Sequence, residues 1–127
     1  MAHLSVRPGV NYAVAGLIVA WTGLFGLGVT VGPQARADAV AYLVNVTVRP
    51  GYNFPIADTA LAYGHGICDK VAAGRAYAQV MGDVKADFST SDEYRASYLI
   101  TQAVNELCPA MIWQLRNSAA GYRPPAP

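Results

Sequence analysis

Acidic residues are absent from the first 37 positions of this 127-residue chain, and from Ala13 to Gly32 there is no charge of either sign. A helix apolar on every side needs a bilayer or a large protein around it. A chain of this length allows one domain, so a buried core helix is the poorest reading of that stretch. Cysteine is scarce: there are two, Cys68 and Cys108, with no C-x-x-C between them. Histidine is scarcer still beyond residue 37, where His65 stands alone. Zinc clusters and thiol redox motifs are therefore not expected, and neither is a histidine-based acid–base pair. No glycine-rich phosphate loop and no run of basic side chains occurs, so nothing drives binding to a nucleotide or to nucleic acid.

The apolar excess, 54% of all residues, is concentrated near the N-terminus. Arg7, with His3 nearby, precedes the uncharged run, and Pro33 and Gln34 are expected to break its helix. Ala35-Arg36-Ala37 then offers the small side chains that a signal peptidase requires. Residues 1–37 are read as a signal peptide, with cleavage leaving Asp38 first. The run is long enough to cross a bilayer, so a retained anchor is the alternative. No cysteine lies near the cleavage point for lipid attachment, and no Arg-Arg pair precedes the run, which favours the general secretory route. From Asp38 onward seven bases face eight acids, a net charge of −1 with His neutral.

An exported domain of about 90 residues has a thin core. Its two cysteines enter an oxidising compartment and are expected to form a Cys68–Cys108 disulfide. The chain-entropy model assigns about 4 kcal/mol to closing a loop of that size.

Periodicity places helices along residues 38–120. Asp38–Val46 reads as a short leading helix capped by Asp38, with Val40, Leu43 and Val44 on one side. Thr47–Pro55 is a loop carrying Pro50-Gly51. Asp58 is the expected cap of a helix to about Ala73, stopped by Gly74. Gly64 and Gly66 inside it each cost up to about 1 kcal/mol against alanine, which suggests close approach of another helix. Tyr77, Val80, Met81, Val84 and Phe88 form the core face of the next helix, with Asp83, Lys85 and Asp87 toward water. Thr90 to Glu93 reads as a capping box opening a long last helix, Ser91–Asn117. Its stripe is Ile100, Val104, Leu107, Met111 and Leu115, and Pro109 should kink or interrupt it. Gly121–Pro127 is expected to be a disordered or extended proline-rich tail without core residues. The fold class is all-α: a small bundle of three main helices plus a short leading one, closed by one disulfide.

The run from Ala60 to Gly74 (ALAYGHGICDKVAAG) resembles the "A…G…VC..L..G" segment of a mycobacterial domain family of unknown function, number 732. Ala103 to Pro109 (AVNELCP) is similar to that family's "A…YCP" ending, with Leu107 where an aromatic is common. The resemblance covers about 60 residues, from Asp58 to roughly Leu115. It implies a small secreted or envelope-associated helical protein of a mycobacterium or relative. It implies no activity, and of the site residues only the two cysteines map.

The residues suggest no reaction and no cofactor. Ser89, Ser91, Ser97 and Ser118 sit in caps, on helix surfaces or near the end, and His65 with Cys68 supplies too few ligands for a metal once the disulfide forms. The expected function is a non-catalytic binding or interaction module, secreted or held in the cell envelope. Its partner would be a lipid, a peptide or another envelope protein. The alternative is a membrane-anchored accessory subunit of an envelope complex, with residues 13–32 retained as its span. Tyr52 and Phe54, aromatics in a loop, are either a lid over the core or a contact surface. Trp113 and Tyr63 are expected to close the core, and Tyr122 is a further aromatic available for contact.

Overall fold

The computed structural model describes residues 33–126. They form five α-helices and one 3-10 turn, with no strand among the described residues. In chain order these are α1 (Pro33–Thr47), α2 (Ala57–Ala72), α3 (Tyr77–Asp87), α4 (Glu93–Leu107), the 3-10 turn Pro109–Met111, and α5 (Ile112–Ala119). The export signal expected over residues 1–37 lies outside the described residues up to position 32. Pro33–Ala37 belong to α1. Pro33, expected as a breaker, is the first described residue of that helix.

Helix α4 is the axis of the bundle. Its buried side, Ala96, Leu99, Ile100, Ala103 and Val104, recurs at three- and four-residue spacing and is fully covered. Helix α2 packs chiefly on α4, bringing Ala60, Ile67 and Val71. Helix α3 covers α4 with Val80, Met81 and Val84, the face its sequence pattern indicates. Burial of one such side chain stabilises by roughly 1.5–3 kcal/mol, so this layer carries most of the fold.

Helix α1 is rotated from the expected orientation. It buries Tyr42 and Val46, while Val40 and Val44 are exposed. The Tyr42 ring enters the core because Gly64 of α2 leaves room for it: a Cβ there would stand 2.7 Å from Tyr42 Cζ and 2.6 Å from Leu107 Cδ1. The Tyr42 hydroxyl then donates to the Ala60 carbonyl at 3.0 Å. Gly64 is thus the close approach foreseen for α2. Gly66 is not, for it has no neighbour within 4 Å of a Cβ.

Several helix ends differ from expectation. At α2 the N-cap is Ile56, and Asp58 lies inside the first turn, where its charge favours the positive end of the dipole. The α2 terminus follows the glycine rule: Gly74 has φ +84°, its N–H reaches Val71 O, and Arg75 N reaches Lys70 O. At α4 the expected capping box gives way to Asp92, whose carboxylate accepts from Arg95 N at 3.1 Å. Thr90 Oγ1 accepts from Asp92 N instead, and Glu93 is drawn away to Lys85 and Tyr122. The Lys85 side chain is accordingly mostly covered rather than facing water.

The disulfide joins Cys68 of α2 to Cys108 just past α4, with S–S 2.08 Å and Cα atoms 6.1 Å apart. It stands where sequence reasoning puts it. The long last helix is divided: Pro109 offers no N–H, Cys108 leaves helical geometry at φ −146°, ψ 60°, and α5 starts afresh at Ile112.

Candidate functional site

The interruption at Pro109 creates a cleft that a continuous helix would not have. After the 3-10 turn, α5 packs on α3, leaving a groove between itself and α4 of about 360 Å³. Thr101 and Asn105, one turn apart on α4, are exposed along one side. Ile112, Leu115 and Arg116 come from α5. Ala119 of α5, Tyr77 at the start of α3, and Tyr122 beyond α5 complete the lining.

The aromatic part of the cleft is held in place. Tyr77 and Tyr122 meet edge to face, ring centroids 5.0 Å apart. The Tyr122 hydroxyl donates to Glu93 Oε2 at 2.7 Å, and Glu93 also pairs with Lys85. The tail expected to lack core contacts is therefore anchored at Tyr122, while residues 123–126 have no regular structure. Tyr77 N donates to Ser118 Oγ at 3.2 Å, and Ser118 donates in turn to Leu115 O. Burial pushes the Tyr77 phenol above its ordinary value.

Arg116 is the one charged group in the lining. Among the described residues it enters no salt bridge. Its guanidinium carbon lies 5.4 Å from the Trp113 ring centroid. Trp113, expected to close the core, is 69% exposed. The reason is helical phase: once α5 restarts at Ile112, Leu115 is the residue turned inward, and Trp113 falls on the outer side.

The two loop aromatics are placed differently from Trp113. Tyr52 is only 5% exposed and its hydroxyl donates to Arg95 O at 2.6 Å. Phe54 packs with Phe88 and Tyr63, centroids 5.7 Å away in each case. Tyr63, as expected, closes this cluster and donates to Asp87 Oδ2 at 2.8 Å. These rings form a lid over the core. Tyr52 is too deeply buried to be a contact surface.

Other polar clusters are satisfied within the fold. Arg49 lies 3.9 Å over the Tyr98 ring and bonds the Tyr94 hydroxyl at 3.1 Å, tying the loop to α4. Asp83 takes both Arg75, bidentate at 2.7 and 2.8 Å, and Lys70 at 3.1 Å. That pairing with Arg75, with help from Lys70, draws the Asp83 carboxyl down to about 2. His65 is exposed on α2. Among the described residues no three His, Cys, Asp or Glu groups gather for a metal ion, and no helix is long and apolar enough to cross a membrane.

A family described as "Protein of unknown function (DUF732)" matches residues 27–110. The chain belongs to this family. The match takes in α1 to α4, both cysteines and Pro109, and so begins well before Asp58, where the resemblance in the sequence starts. Arg116, Leu115 and Tyr122 lie past the matched residues, so the cleft joins a family-matched wall to a wall outside the match. No curated protein and no solved structure matches the chain.

Proposed function

We propose that this DUF732 member is an exported, cell-envelope protein of a mycobacterium or relative, acting as a non-catalytic binding module with the α4–α5 cleft as its ligand site. The observation that carries this reading is a groove of small-molecule size lined by aromatic and apolar side chains, in which Arg116 is the one charged residue and, among the described residues, enters no salt bridge. Export is supported by the disulfide, a bond that persists in oxidising compartments, and by the uncharged run ahead of Ala35-Arg36-Ala37. A non-catalytic role is supported by how the candidate groups are used. Both sulfurs are joined, Ser97 and Ser118 donate to backbone carbonyls, and His65 is exposed.

The test is the intact mass of the protein isolated from its native cells, followed by solvent extraction of what co-purifies. A mass beginning at Asp38, with a small molecule released on extraction, is the expected result. A mass beginning at Met1 or Ala2, with the protein held in a membrane complex, would replace this reading with a second. In that second reading the chain is an anchored accessory subunit with residues 13–32 as its span. The observation favouring it is the exposed row Val40, Val44 and Val48, an apolar edge at four-residue spacing close after the uncharged run.

A further inference from the structure

The lining of the cleft is specific about charge. It carries one cation and no acid, although eight acids face six bases over the rest of residues 38–127. Arg116 presents a planar fork of N–H donors, the geometry that matches a carboxylate at two points. From the α4 side of the same lining, Thr101 offers a hydroxyl and Asn105 an amide, both donors suited to an anion. The remaining surface is Ile112, Leu115 and the rings of Tyr77 and Tyr122. A groove of about 360 Å³ lies near the lower limit of small-molecule sites, too small for a two-chain lipid.

Resting on the reading of this cleft as the ligand site, we propose that it takes a small amphipathic carboxylate. The carboxylate pairs with Arg116, flanked by Thr101 and Asn105, and a short apolar body lies on Leu115 and the two tyrosines. Arg116 lies beyond the residues matched by the family. Arg116 also stands in the last turn of α5, where a positive charge suits the helix end. The lysine variant separates that role from recognition, because it keeps the charge and loses the fork.

The experiment uses the oxidised protein as isolated, with four probes: octanoate, 1-octanol, octylammonium and inorganic phosphate. Binding is read by calorimetry and by amide shifts at residues 77, 105, 116 and 122. Octanoate is expected to bind and to shift those amides. Arg116→Gln should weaken it by about tenfold or more, and Arg116→Lys by less, with unchanged circular dichroism in both variants. Equal affinity for 1-octanol, or no effect of Arg116→Gln, overturns the carboxylate assignment while leaving the cleft as a binding site. Phosphate binding as tightly as octanoate removes the apolar body from the assignment. If none of the probes shifts the cleft amides, the reading of the cleft as the ligand site falls, and this inference falls with it.

Discussion

Two glycines one position apart on either side of His65 make opposite demands on the core. Gly64 faces Tyr42 and Leu107 at distances no Cβ tolerates, whereas Gly66 faces open space. Intrinsic helix propensity rewards alanine by up to about 1 kcal/mol at either position. Packing reverses the sign at Gly64, since forcing an extra carbon into a filled core costs typically about 1–3 kcal/mol. Gly64→Ala is therefore expected to lower the denaturant midpoint of the oxidised protein, and Gly66→Ala to leave it unchanged or raise it. The sequence shows two glycines of equal standing; which of them touches a neighbour depends on the rotation of α1, and nothing local specifies that rotation. Trp113 teaches the same lesson in reverse. A large aromatic is a sound core candidate by type, yet its position relative to Leu115 sends it outward.

At the scale of elements, boundaries depend on which polar side chain is free to cap. Thr90 and Glu93 have the spacing of a capping box, and Asp92 takes the cap because Glu93 is held by Lys85 and Tyr122, groups remote in the chain. Pro109 is legible without any tertiary knowledge: it removes an N–H, so α4 stops. The direction that α5 then takes is not legible, and that direction makes the cleft. The disulfide couples these elements, fixing the end of α4, just before the break, to the middle of the bundle through Cys68. Reduction is expected to lower stability by about 4 kcal/mol on the chain-entropy model. Comparing denaturant midpoints of the oxidised protein and of the Cys68→Ser/Cys108→Ser form measures it.

For the molecule as a whole, the buried phenols set a limit in alkali. Burial raises Tyr42, with Tyr52 nearby adding to it, and burial with the Asp87 contact raises Tyr63. Tyr52 is pushed up to about 12 from the ordinary 10.0, burial being the main cause. A folded pKa above the unfolded one means stability is fully present below about pH 10 and is lost as the pH rises through 12. Phenolate absorbance and helical ellipticity are expected to change together in that window, as the phenols ionise with unfolding. Asp83 has the opposite sign: its contribution is present above 3.8 and fades as the pH falls through about 2.

The all-helical class, the Cys68–Cys108 pairing, the faces of α3 and α4, and the stop at Gly74 follow from the sequence alone. Each depends on residue type and spacing along one element, or on two sulfurs with no other partner. The rotation of α1, the exposure of Trp113, the burial of Tyr52 and the α4–α5 cleft were decided by tertiary structure. Each depends on how helices far apart in the chain fill one another's gaps, and side-chain volume across an interface leaves no periodic mark in either helix.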